Sequence, residues 1–68
     1  MTTSTFTVTG MTCQHCVGAV REEVSRIPGV TGVDVDLASG RVTVTSEGPV
    51  ATEDVRASVD EAGYELAS

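Results

Sequence analysis

The residues of this chain best able to do chemistry are gathered in seven positions, Gly10-Met11-Thr12-Cys13-Gln14-His15-Cys16. Both cysteines of the sequence and its one histidine lie there. The segment follows an alternating run, Thr5-Phe6-Thr7-Val8-Thr9, and precedes a stretch of helical periodicity. Two thiols therefore stand where a loop enters a helix N-terminus, among backbone N–H groups without partners and at the positive end of the helix dipole. That field favours the thiolate, the form of cysteine that binds metals and attacks disulfides. The spacing alone leaves both chemistries open.

Ligand supply narrows the choice. A structural zinc site needs four ligands, and the chain offers two cysteines and His15. Haem attachment needs a histidine directly after the second cysteine, where Val17 stands. Thioredoxin-like modules also carry Cys-x-x-Cys at a strand-to-helix junction. Their fold needs a longer chain, however, and their usual Trp-Cys-Gly-Pro-Cys setting is absent here. A bridge between Cys13 and Cys16 would close a very small loop and constrain the unfolded chain little. What remains is a metal content with two soft donors. Cu(I) selects thiolates and is satisfied by two of them, and Hg(II) and Ag(I) share that chemistry. Zinc also takes harder ligands, yet Thr12 precedes the first thiol and no carboxylate lies between Gly10 and Cys16. A thiol–disulfide redox module stands as the reading from a different class.

The elements that must hold this loop follow from periodicity. Phe6 and Val8 alternate with threonines; Val33, Val35 and Leu37 alternate with Asp34 and Asp36; Val42 and Val44 alternate with Arg41, Thr43 and Thr45. Each run has one apolar face, as in a sheet covered on one side. Ser39-Gly40 supplies a hairpin turn between the last two runs. Val17, Val20, Val24 and Ile27 share a helical stripe that Pro28-Gly29 ends. A second helix is predicted from about Thr52 to Ala62, with Thr52 as N-cap, Glu53 and Asp54 in the first turn and Gly63 just beyond the end. Tyr64–Ala67 forms a short last strand. The order βαββαβ predicts an α+β, ferredoxin-like fold, a four-stranded antiparallel sheet with two helices on one face.

The predicted core is Phe6, Val8, Val20, Val24, Ile27, Val33, Val35, Leu37, Val42, Val44, Val55, Val59 and Leu66. At roughly 1.5–3 kcal/mol per large apolar side chain buried, it can fold without metal. The 68 residues are read as one domain, 1–68, and the two thiols as chemistry rather than a staple. Ten acidic residues against four arginines, with no lysine, give a net charge of −6. Nothing basic is present to displace counterions from phosphates, which argues against nucleic acid. The acidic balance suits solvated faces, or steering toward a positive partner. No signal peptide and no run near the ~18 apolar residues of a membrane span are seen, so a cytoplasmic location without membrane insertion is expected.

The segment Gly10–Cys16, the helix end Ile27-Pro28-Gly29-Val30 and the late Gly63-Tyr64 resemble the heavy-metal-associated domain family over about residues 5 to 67. Within that family the chain is most similar to the small bacterial copper chaperones. The resemblance implies a carrier rather than an enzyme, with Cys13 and Cys16 as Cu(I) ligands. It implies delivery to a copper-exporting P-type ATPase, with a copper-responsive regulator as a further partner. Met11 would be a core residue under the loop, and Tyr64 would either close the core or shield the site. His15 would be a solvent-facing spacer, or a nearby charge that adjusts the thiols. The alternatives are a metal-binding domain excised from such an ATPase, which Met1 and the short C-terminus disfavour, and a Hg(II) or Zn(II) carrier of the same fold. An apo monomer is expected, with Cu(I) above one per chain bridging two copies through shared thiolates.

Overall fold

The structure, a computed structural model, describes residues 1–67. Its elements are β1 (Thr2–Thr9), α1 (Gln14–Ser25), β2 (Val30–Asp36), β3 (Arg41–Ser46), α2 (Thr52–Glu61) and β4 (Glu65–Leu66). The strands form one sheet in the order β2-β3-β1-β4, every neighbouring pair antiparallel. This is the ferredoxin-like arrangement that the βαββαβ order predicts. Strand β1 lies between β3 and β4, and its last residues lead directly into the cysteine loop.

Alternation works as expected in β1 and β3. Phe6 and Val8 of β1 and Val42 and Val44 of β3 face the helices and are buried. Val20 and Val24 of α1 meet them, as do Val55 and Val59 of α2, and Val17 is buried as well. Six valines, at 20, 24, 42, 44, 55 and 59, have no accessible surface. Branched side chains with few rotamers lose little freedom on packing, and such a core suits a short chain. Met11, Val30, Val33, Val35, Val50, Ala62 and Tyr64 are partly buried around it.

Four local expectations are revised. Leu37 belongs to neither β2 nor the core, because β2 ends at Asp36 and the chain turns there. The Asp36 side chain accepts the Ala38 N–H at 3.1 Å, and its carbonyl accepts the Gly40 N–H at 2.8 Å. Such an Asx contact supports a turn and leaves Leu37 half-buried within it. Thr52 is the first residue of α2 rather than its cap; Ala51 holds the cap position, its carbonyl accepting the Asp54 and Val55 N–H groups. The helix ends at Glu61, with Ala62 as the C-cap. Strand β4 is Glu65–Leu66, shorter than the predicted Tyr64–Ala67.

Gly63 behaves as predicted. Its φ is +92°, in the left-handed region. The Tyr64 N–H reaches the Val59 carbonyl at 3.1 Å and the Gly63 N–H reaches Asp60 at 2.9 Å. That pair of bonds is a Schellman ending, and it fixes where Tyr64 points. Gly40, also at positive φ, crosses β1 closely: its carbonyl accepts the Val8 N–H at 2.8 Å, and a Cβ there would lie 2.5 Å from the Val8 oxygen.

Candidate metal centre

The cysteine loop is held from both sides. Val8 and Thr9, at the end of β1, pair with Leu66 and Glu65 of β4. Gly10 then takes a φ of +95°, which turns the chain out of the sheet. It also lies against Tyr64, whose Cδ1 would sit 3.4 Å from a Cβ at that position. Any larger residue would meet both the backbone strain and the ring.

Cys13 is the N-cap of α1. Its backbone is extended, with φ −156° and ψ 174°, and its carbonyl accepts the N–H of Cys16 at 3.0 Å and of Val17 at 3.3 Å. Cys16 is therefore the third residue of the helix. Cap and third position are where an N-terminal capping pair sits, each side chain close to amides that lack helical partners. Here those positions carry sulfur. No side chain hydrogen-bonds as a cap, and no acidic residue lies in the first turn of α1. The positive end of this dipole meets no carboxylate of its own helix.

The two Sγ atoms are 3.6 Å apart and both thiols are free. Cys13 is exposed, whereas Cys16 is 9 % exposed and counts with the core. The Thr12 hydroxyl stands 3.8 Å from Cys16 Sγ. The Cys16 thiol is lowered from an ordinary 9.0 to about 6. The backbone at Thr12 is the largest cause, followed by the Tyr64 hydroxyl and the Cys13 backbone, with burial acting in opposition. Tyr64 faces the sulfur without closing a hydrogen bond of ordinary distance and angle. Its own hydroxyl is pushed upward by Cys16, then by burial and by the charge of both cysteines.

Of the residues singled out in the sequence, the fold brings Cys13, Cys16 and Tyr64 together. Met11 is half-buried and packs against the core, so its thioether has apolar surroundings. His15 is exposed in the first turn of α1. The sequence marks Thr12 only as the place where a carboxylate is missing; its approach to Cys16 depends on how the loop enters the helix and carries no signal in the spacing.

Chemically, this is a pair of soft donors with one exposed and one buried arm. Among the described residues no group of three His, Cys, Asp or Glu is placed to hold a metal. The arrangement suits an ion content with two thiolates and disfavours one that requires three or four ligands. Among the described residues, no helix is long and apolar enough to cross a membrane.

The copper chaperone CopZ of Bacillus subtilis is 38% identical over 68 residues, which cover 98% of this chain and 99% of that one. Copper-transporting ATPase 1 of Rhizobium meliloti is 40% identical over 60 residues, 88% of this chain but 7% of the ATPase. A solved structure of a CopZ metallochaperone superposes with a TM-score of 0.89 at 33% identity, covering 97% of this chain and 100% of its own. Residues 5–65 match the heavy-metal-associated domain, and the chain belongs to that family.

Proposed function

We propose that this protein is a Cu(I) carrier of the cytoplasm that binds the ion between Cys13 and Cys16 and hands it to a copper-exporting P-type ATPase. The observation that carries the reading is the two-thiol site itself: free sulfurs 3.6 Å apart at a helix N-terminus, with no third His, Cys, Asp or Glu clustered with them among the described residues. A soft d¹⁰ ion is held by such a pair, and its low coordination leaves room for another thiolate. The copper chaperones and copper-transporting ATPase to which the chain is similar support the choice of ion and of partner.

Transfer is then ligand exchange. An incoming thiol loses its proton and its sulfur bonds to the copper while both original Cu–S bonds remain. The bond to Cys13, the exposed arm, breaks first, and the released thiolate can take up a proton. A second incoming thiolate displaces Cys16. No electrons move, and copper stays Cu(I) throughout. The buried arm with the lowered thiol keeps its grip longest, so the ion is never free. The cycle makes the protein a carrier rather than an enzyme. A copper-responsive regulator with exposed thiols would receive the ion by the same exchange.

The test is to load the reduced protein with one equivalent of Cu(I), mix it anaerobically with the metal-binding domain of a copper-transporting ATPase, separate the two and measure copper in each. The reading expects copper to redistribute to an equilibrium faster than a chelator of matched affinity can withdraw it. Copper that reaches the acceptor only at the rate of release to a chelator overturns the transfer mechanism. Preference for Hg(II) or Zn(II) over Cu(I) in direct competition overturns the choice of ion.

A further inference from the structure

Of the two sulfurs at the N-terminus of α1, one alone meets a threonine hydroxyl. Thr12 Oγ1 lies 3.8 Å from Cys16 Sγ, a separation that suits the large radius of a sulfur acceptor. Cys13 is next to Thr12 in sequence, yet its sulfur closes only the 3.6 Å contact with the other thiol among the described residues. Cys16 is also the buried arm, whereas Thr12 and Cys13 are exposed. Among the described residues the Thr12 hydroxyl has no second hydrogen-bond partner, so the fold gives it no other use.

The direction of this contact depends on the state of the sulfur. A thiol can donate or accept, but a thiolate, free or bound to a metal, has no S–H and only accepts. The hydroxyl then donates, and its bond strengthens as charge on the acceptor grows. In a two-thiolate Cu(I) complex, a single negative charge is shared between both sulfurs. A sulfur that copper has just left carries the whole of it. For Cys16 that charge appears in a buried place, where an unpaired charge is costly. The hydroxyl therefore stabilises the released Cys16 more than the copper-bound one.

We infer that Thr12 eases the last step of copper hand-over, its hydroxyl donating to Cys16 Sγ as that sulfur gives up the ion. The inference rests on the carrier reading above and adds a residue to it. In this step the incoming sulfurs hold copper, the Cu–S bond to Cys16 breaks, and its electron pair stays on the departing sulfur. The hydroxyl proton remains on oxygen, and copper remains Cu(I). Exposed Cys13 needs no such help, because water solvates its thiolate. The contact lowers the affinity of the loaded site and shortens the time that copper stays on it.

The experiment compares the reduced full chain with Thr12→Val, which keeps the shape and loses the hydroxyl, and Thr12→Ser, which keeps the hydroxyl. If Thr12→Val fails to fold, Thr12→Ala takes its place. Alkaline pH keeps the free thiols ionised in every variant, so protonation does not enter. In the metal-free proteins, alkylation by iodoacetamide is followed at each cysteine by mass spectrometry. Thr12→Val should raise the rate at Cys16 about three- to tenfold, the size of one net hydrogen bond, and leave Cys13 unchanged. With one equivalent of Cu(I), competition against a Cu(I)-specific chelator should show Thr12→Val holding copper more tightly by a similar factor and yielding it more slowly. Thr12→Ser should restore the parent's behaviour in both. The effect on copper should vanish beside Cys16→Ser and persist beside Cys13→Ser. Either readout unchanged in Thr12→Val overturns the proposal, as does weaker copper binding, a Thr12→Ser that behaves like Thr12→Val, or an effect that survives Cys16→Ser. A parent that holds no copper overturns the carrier reading itself, and this inference with it.

Discussion

Cys13 is the N-cap of helix α1 and Ala51 that of helix α2, and neither side chain hydrogen-bonds to the first turn. Beyond that shared gap they diverge. Helix α2 places Glu53 and Asp54 in its first turn, and Glu53 also bonds Arg56 at 2.8 Å. Those carboxylates offset the positive end of the dipole permanently, by about 0.3–1 kcal/mol each when exposed. Helix α1 has no acidic residue in its first turn and sets a sulfur at the cap and another at the third position. Its field acts on groups whose charge depends on pH and on metal. One N-terminus is finished as structure, and the other is left available for chemistry.

The largest effect that breaks this contrast is removal of the sulfurs. Cys13→Ser or Cys16→Ser replaces a soft donor with a hard one, and each should reduce Cu(I) affinity by more than the ~10–100-fold typical of losing an outer-shell partner. Glu53→Gln, which neutralises the first turn of α2, should leave Cu(I) affinity unchanged. Competition against a Cu(I)-specific chelator measures both. Equal losses from the two ends would remove the distinction between them.

Acid should act on α1 in the same sense but less strongly. Folded Cys16 gives up its proton near 6, whereas the unfolded thiol keeps it up to about 9.0. Between those values the unfolded chain binds more protons, so the stability of the apo protein rises with pH. The contribution is fully present above 9 and is lost as pH falls through about 6, where protons also compete with copper. Denaturant midpoints measured across this range should show the slope in the parent and lose it in Cys16→Ser. A slope that survives the substitution would assign it to another group.

The smallest effect sharpens the comparison from the opposite direction. Gln14→Glu gives α1 the first-turn carboxylate that α2 already has. The apo helix should gain about 0.3–1 kcal/mol, read as a higher denaturant midpoint. Copper should be held less tightly, because a carboxylate beside a two-thiolate Cu(I) complex adds negative charge to an anion. Opposite signs for stability and affinity are the expected signature; a rise in both would contradict it.

Much of this arrangement is written in local pattern. The valine stripes at 17, 20 and 24 and at 55 and 59, the Pro28-Gly29 stop and the Gly63 ending each follow from spacing that one element satisfies alone. Leu37 misleads because alternation continues through it, and only the Asp36 turn, completed by Gly40, shows that the strand has ended. Thr52 misleads because a good capping residue need not cap when the preceding carbonyl already accepts two helical amides. The first half of β1 is invisible for another reason: Thr2–Ser4 has no apolar alternation, and pairing with β3 alone makes it a strand.

The site divides along the same line. Cys13 and Cys16 are legible because they are neighbours, and their helical positions follow from where α1 starts. The approach of Tyr64 to Cys16 depends on the Schellman turn at Gly63 and on the space left by Gly10, contacts between distant parts of the chain. Spacing marks the donors, and packing sets their protonation.

The claim beneath the comparison is that α1 reserves its N-terminus for a single soft ion held by two thiolates. Anaerobic titration of the reduced protein with Cu(I), in competition with a Cu(I)-specific chelator and beside Cys13→Ser/Cys16→Ser, addresses it directly. The account predicts one tight Cu(I) per chain in the parent and none in the double variant. Tight binding that persists without the sulfurs, or a parent that cannot compete for copper at all, would contradict it.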